Sequence, residues 1–248
     1  MTIRGAIRGQ TPFRGLTPFK MRYYIADLHF FHGNMNSRMD KRGFGSVEEM
    51  NEYMIQKWNS RIRQNDDIVV LGDFSLGKGE ETNGILRRLN GRKFLIEGNH
   101  DRFLNDRKFD KKLFHWIKPY EEMKDNKRKV VLSHYPIFCY NGQYRLNKEG
   151  NAKTYMLFGH VHNTFDDRLV GKFINITKNT DVMLPSEDRT RVIPCQMINC
   201  FCMFSDYTPL TLDEWIELDA KRRIDQKDVS PVGFYEEEGQ QYGTDITC

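Results

Sequence analysis

Ile68-Val69-Val70-Leu71-Gly72-Asp73-Phe74 decides how this chain is read. Four consecutive apolar residues, three of them β-branched, suit a strand buried on both faces, and the glycine and carboxylate that follow end it. The same unit recurs on either side. Upstream, Tyr23-Tyr24-Ile25-Ala26 runs into Asp27-Leu28-His29. Downstream, Phe94-Leu95-Ile96 leads through Glu97 into Gly98-Asn99-His100-Asp101. Val130-Val131-Leu132 then runs into Ser133-His134-Tyr135-Pro136, and Tyr155-Met156-Leu157-Phe158 into Gly159-His160-Val161-His162.

Helical segments separate the first three units. Ser46-Val47-Glu48-Glu49 reads as a capping box, and Val47, Met50, Met54, Trp58 and Ile62 follow as one apolar stripe. A second helix is expected from Glu81 to Asn90, closed by Gly91. Strands alternating with helices predict an α/β layer with polar clusters at the carboxyl ends of its strands. After His162 the pattern changes. Phe173-Ile174-Asn175-Ile176 and the run from Pro194 to Phe204 read as strands with no helix between them, so the sheet is expected to finish antiparallel. Residues 177–191 read as a polar loop, Thr211 to Arg223 as a last helix, and 225–248 as a polar tail.

The chain has 248 residues, 39% hydrophobic and 12% aromatic. That length suffices for a large core, and the composition excludes a disordered chain. No stretch approaches the ~20 apolar residues of a spanning helix, which excludes an integral membrane protein of that kind. Arg4, Arg8, Arg14 and Lys20 stand in a first segment free of acids, and these four cations equal the net charge of +4. The remaining chain is balanced, so nothing in its overall charge asks for a nucleic-acid coat. Gly and Pro density in residues 1–20, a basic extension read as lying outside the fold, excludes an amphipathic transit peptide, and no apolar run there suits a secretory signal. The five cysteines, at 139, 195, 200, 202 and 248, lack zinc-ribbon spacing. They read as free thiols of a reducing compartment, and the expected location is the cytoplasm.

Five of the seven histidines, at 29, 100, 134, 160 and 162, stand in the strand-ending clusters with Asp27, Asp73, Asn99 and Asp101. Imidazoles, carboxylates and an amide at five neighbouring strand ends are more than satisfied core histidines explain. Mixed nitrogen and oxygen donors without thiolate suit manganese, iron or zinc better than magnesium or calcium. These candidate ligands exceed what one ion takes from protein, which points to two. A cation pair ~4 Å apart needs a bridging anion, lowers the pKa of a shared water and clamps an in-line displacement at phosphorus.

The ordered series Asp27-x-His29, Gly72-Asp73, Gly98-Asn99-His100-Asp101, His134 and Gly159-His160-x-His162 resembles the calcineurin-like metallophosphoesterase superfamily, with Asp27-Leu28-His29-Phe30-Phe31-His32 closest to its small bacterial and phage branch. The resemblance spans residues 27 to 162. It implies a four-layer α/β/β/α sandwich with mixed sheets over residues 21–224. It further implies that Asp27, His29 and His162 bind one metal, that Asn99, His134 and His160 bind another, and that Asp73 bridges them. By the same likeness His100 is no ligand but stabilises the transition state or protonates the leaving oxygen, whereas Asp101 is read as fixing the turn after Asn99 by capping backbone amides.

One departure bears on the chemistry. Many members carry a second Asp three residues after the bridging one, to orient the catalytic His; here that residue is Leu76, and no Arg-Gly pair follows. The resemblance then favours a phosphodiesterase over a protein phosphatase. His32 and Arg38 are candidates for substrate binding; Arg42, Arg145 and Lys148 read as charged surface and His115 as packing. Phe30 and Phe31 either stack a base or pack beneath the site.

The expectation is therefore a phosphodiesterase using two divalent ions, manganese first, with iron, zinc or nickel as alternatives. A hydroxide supplied by the metals attacks in line on a phosphate ester, expected to be small and nucleotide-like. The alternatives are a phosphomonoesterase acting on nucleotide or sugar phosphates and a nuclease acting on nucleic acid, for which the basic extension would supply affinity.

Overall fold

The computed structural model describes residues 20–183 and 190–225. Most of the basic extension (1–19), Pro185 to Asp188 of the loop between 177 and 191, and the tail from 226 onward, with Cys248, lie outside the described residues. Two four-stranded sheets carry the molecule. In the first, β1 (Arg22–Ile25), β2 (Asp67–Leu71), β3 (Arg92–Ile96) and β4 (Ile117–Lys118) are adjacent and parallel. Helices α1 (Val47–Arg61) and α2 (Gly79–Arg88) make the crossovers between β1, β2 and β3.

The chain then turns into β5 (Tyr120–Asp125) and β6 (Arg128–Ser133), an antiparallel hairpin, and continues into β7 (Thr154–Phe158), parallel to β6. Helix α3 (Phe165–Lys178), a short hairpin of β8 (Asp181–Met183) and β9 (Thr190–Val192), and β10 (Met197–Asn199) follow, and α4 (Leu212–Asp225) ends the described chain. The second sheet has the order β10-β7-β6-β5.

Side-chain alternation along buried strands sorts the core into three layers. Tyr23, Ile25, Ile68, Val70 and Leu95 cluster with Met50, Met54 and Trp58 of α1 and with Ile85 and Leu86 of α2. Their neighbours Tyr24, Ala26, Val69, Leu71 and Ile96 meet Val130, Leu132, Leu157 and Ile198 between the sheets. Val131, Met156 and Met197 face Val170 and Ile174 of α3. The order is helix, sheet, sheet, helix. Trp58 and Trp215 are both fully buried, and each indole N–H finds a carbonyl, on Asn90 at 3.0 Å and Tyr24 at 2.9 Å. Truncating either to Ala would cost about 3–5 kcal/mol.

Ser46 caps α1 as its spacing predicts, accepting the Glu49 N–H at 3.0 Å. The Glu49 carboxylate reaches back to the Gly45 N–H at 2.8 Å, one residue upstream of the expected reciprocal bond. Helix α2 runs two residues ahead of its expected start and stops at Arg88.

The chain after His162 departs from its sequence reading. Phe173 to Ile176 is helix, not strand. Thr164 caps it, Asp166 and Asp167 occupy its first turn, and Val170 and Ile174, four residues apart, are its buried face, while Ile176 is 61% exposed. A strand would have placed Ile174 and Ile176 on one side. The β-branched composition hid a helical period. Of the run from Pro194 to Phe204 only Met197–Asn199 is strand, paired parallel to β7, and Cys202–Ser205 is a 3-10 turn. The antiparallel pair lies at the other edge, in β5 and β6. The polar stretch 177–191 contributes the end of α3 and two short strands, and α4 reaches Asp225.

Among the described residues Cys139, Cys195, Cys200 and Cys202 are free, and burial pushes the Cys202 thiol up to about 12. No helix among them is long and apolar enough to cross a membrane.

Candidate metal centre

The carboxyl ends of β1, β2, β3, β6 and β7 open on one rim, and the chain leaves it by tight reversals. Asp27, His29, Asp73, His160 and His162 all take left-handed backbone, with φ between 44° and 69°. Each such non-glycine residue costs about 1–2 kcal/mol, and strain of this kind collects where a side chain must be aimed. Close packing leaves no room for a larger residue at two turns. A Cβ on Gly98 would lie 2.3 Å from Asp73 Oδ1, and one on Gly159 2.7 Å from Asp27 Oδ2.

Two groups of donors result. Asp27, His29 and His162 present one ligand atom each within 4.8 Å of one another, and so do Asp73, His134 and His160. The Nε2 atoms of His29 and His162 are 3.2 Å apart. Asn99 Oδ1 stands 3.0 Å from His134 Nε2 and 3.1 Å from His160 Nδ1, which brings the amide into the second group. Asp73 Oδ2 is 3.4 Å from His29 Nε2 and 3.4 Å from His134 Nε2, so this carboxylate lies between the two.

The outer nitrogens explain which inner ones are free. His134 Nδ1 donates to the Leu71 carbonyl at 2.8 Å, and His162 Nδ1 to Asp40 Oδ1 at 2.7 Å. Their Nε2 atoms therefore face inward, the arrangement that serves a metal once those nitrogens are unprotonated. His160 presents Nδ1, and its backbone N–H donates to the Asp27 carboxylate at 3.0 and 3.1 Å.

Electrostatics agree with cation demand. Burial pushes Asp27 up to about 6 despite His162 and His134, and drops His29 to about 2. Burial also opposes ionisation of Asp73, but the hydrogen bond and charge of His134, with His29 and the His100 N–H, hold it well below the usual carboxylate range. Burial would lower His134, yet Asp73 and Asp27 lift it to about 9. The donor set is mixed nitrogen and oxygen with no thiolate, and it fits two divalent cations.

Asp101 pins the turns around the site. Its carboxylate accepts the N–H groups of Gly98 at 2.8 Å, Asp73 at 3.0 Å and Phe74 at 2.7 Å, although burial pushes it up to about 7. His100 is tied by its own N–H to Asp73 Oδ1 at 2.8 Å, and its ring lies 5.5 Å from that of His29. His32 stands beside both, with Nδ1 3.4 Å from His29 Nδ1 and its ring 6.3 Å from that of His100.

Other candidates fall elsewhere. Arg38 is exposed on the turn Met35–Met39 and makes no hydrogen bond or ion pair among the described residues. Phe30 is fully buried and packs on Phe74, with ring centroids 5.2 Å apart. His115 is exposed and lies edge-on to Phe94. Arg145 and Lys148 are exposed as expected, but Arg42 is not surface. Its buried guanidinium donates to the carbonyls of Asp27 and Leu28 and to Asp40. Sequence reasoning also missed Asp40 itself and Asn199, whose amide donates to the His162 carbonyl at 2.8 Å and to Asp167 at 3.1 Å. No local pattern marks either, because each acts on a residue more than thirty positions away.

An uncharacterized protein of Methanocaldococcus jannaschii is 29% identical over 204 residues, which cover 82% of this chain and 93% of that protein. Among solved structures, a protein of unknown function from Aquifex aeolicus matches with a TM-score of 0.52 at 22% identity, covering 84% of this chain and 99% of the other. That likeness speaks for the fold alone. The family profile of calcineurin-like phosphoesterases matches residues 23–185. Since that span holds both donor groups and the carboxylate between them, the chain belongs to the calcineurin-like phosphoesterase family.

Proposed function

We propose that this member of a metal-dependent phosphoesterase family is a phosphodiesterase using two manganese ions. The position of Asp73 Oδ2, 3.4 Å from a nitrogen of each donor group, carries the two-metal reading. In it Asp27, His29 and His162 hold the first ion, Asn99, His134 and His160 the second, and Asp73 both. When bound, the pair supplies hydroxide near neutral pH and offsets charge on the phosphoryl oxygens.

The chain's own groups do the rest. Asp101 and Gly98 keep the Asp73 carboxylate in place. His100, fixed through its N–H to Asp73, sits beside the first group, where it hands a proton to the departing oxygen. His32, half-buried next to it, offers a donor to a phosphate oxygen.

Preference for diesters is supported by the surroundings of His100. Among the described residues no carboxylate bonds to its ring, and Leu76, where the family often has Asp, is 40% exposed. The balanced charge of the body favours a small nucleotide-like ester over a nucleic-acid strand, and the free thiols fit the cytoplasm. The test compares bis(4-nitrophenyl) phosphate with 4-nitrophenyl phosphate under added Mn²⁺. A kcat/KM at least about tenfold higher on the diester is expected; a preference for the monoester overturns the diester reading.

A further inference from the structure

Asp40 and Arg42 belong to no motif, yet together they touch every segment that supplies the first donor group. The Asp40 carboxylate divides its work. Oδ1 accepts from His162 Nδ1 at 2.7 Å, and Oδ2 accepts from Arg42 Nε and an Arg42 terminal nitrogen at 3.0 and 2.9 Å. Arg42 spends its remaining donors on backbone, reaching the Leu28 carbonyl at 2.7 Å and the Asp27 carbonyl at 3.0 Å. Those carbonyls lie in the turn where Asp27 and His29 are both left-handed, with φ of 57° and 50°.

The bracket is built rather than incidental. The Arg42 side chain is fully buried, and that of Asp40 nearly so. A buried guanidinium stays folded only when its charge is met and its donors are used, and here both conditions hold. The loop carrying the pair is itself closed, because the Asn36 amide bonds to both the N–H and the carbonyl of Phe44, at 2.7 and 2.6 Å. Neither Asp40 nor Arg42 makes a hydrogen bond or ion pair with Asp73, Asn99, His134 or His160 among the described residues.

We infer that Asp40 and Arg42 position His162 and the Asp27–His29 turn for one of the two ions, so that removing this bracket costs that ion alone. The inference rests on the two-metal reading above. Asp40 fixes which His162 nitrogen carries the proton and the angle of the ring. Arg42 holds the strained turn that aims Asp27 and His29. A carboxylate behind a liganding imidazole is worth about ten- to a hundredfold in metal affinity.

Calorimetric titration of the folded protein with Mn²⁺, paired with electron paramagnetic resonance, reads this directly. The wild type is expected to bind two ions and to show a spin-coupled pair. Asp40→Asn is expected to weaken one binding step at least about tenfold, to leave the other within about twofold, and to give the spectrum of isolated Mn²⁺. If Asp40→Asn does not fold, Asp40→Asn with Arg42→Met removes both charges together and carries the same expectation. Adding Asp40→Asn to His162→Ala should cost less metal affinity than Asp40→Asn costs in the wild type, because only the route through Arg42 is left to lose. Two binding steps weakened alike, or neither weakened, or an additive double variant, overturns the bracket while the two-metal reading stands. A wild type that binds no ion overturns both.

Discussion

His29 and His162, 133 residues apart in the chain, bring their Nε2 atoms to 3.2 Å. His162 bonds Asp40 through Nδ1, which leaves its Nε2 facing His29. Two imidazoles so placed in a buried pocket beside Asp27 gain most from a cation that both can bind. The folded chain is thus prepaid for the metal in strain and desolvation, and metal should return that cost as stability.

Mn²⁺ at a hundred times its dissociation constant should stabilise the native state by about 2.7 kcal/mol per site. For a chain of this size each kcal/mol shifts Tm by about 2–4 °C, so calorimetry should show a rise of roughly 5–10 °C for one site, reversed by chelator. An unchanged Tm would count against ion binding to the folded state.

Asp73→Asn keeps the shape of the side chain but removes the charge that both donor groups share. Turnover of bis(4-nitrophenyl) phosphate should fall more than about a hundredfold, beyond the loss of an outer-sphere partner, and the second equivalent of metal should be lost. Wild-type turnover in this variant would refute a bridging carboxylate.

His100→Ala should behave differently. Its ring lies outside both donor groups, so metal content by elemental analysis should remain at the wild-type value while kcat falls by about 10²–10⁴. Loss of metal on this change would make His100 a ligand.

Proton competition gives a pH dependence with a definite sign. His134 in the metal-free protein sits up at about 9, lifted by Asp73 and Asp27 against the effect of burial. Its nitrogen must be unprotonated to bind metal. Affinity of the donor group that contains His134 should therefore climb as pH rises from 6.5 towards 8.5, by up to about tenfold per unit, with proton release on titration. The same shift makes protonated His134 stabilising below the unfolded value of 6.5, an advantage lost as pH rises through about 9.

Asp167 offers a test of stability away from the metals. Burial raises its carboxyl, but Arg222 and Asn199 outweigh that and hold it below its ordinary value. A lowered folded pKa means stability that is present above about 4 and lost as pH falls through the folded value. Asp167→Asn, after which Arg222 still has Asp219 as a partner, should destabilise by about 1–3 kcal/mol and flatten the acid limb of a denaturation series between pH 5 and 2.

The strand ends and their chemistry are legible in the order of residues alone. Each apolar run from Tyr23 to Phe158 and the polar cluster after it are contiguous, and burial on both faces leaves a pattern readable over five residues. The same locality made the Ser46 cap legible. The β-branched run at Phe173 to Ile176 misled because composition competes with period in so short a window, and only packing of Val170 and Ile174 on Met156 and Met197 chose the helix. Tertiary structure alone sorted the ligands into two groups, set Asp73 between them, and fixed which nitrogen each imidazole turns inward. It alone brought Asp40 and Arg42 behind the site. Those outcomes depend on atoms that meet across separations from 14 to 133 residues, where distance and direction, not spacing along the chain, decide what a side chain can touch.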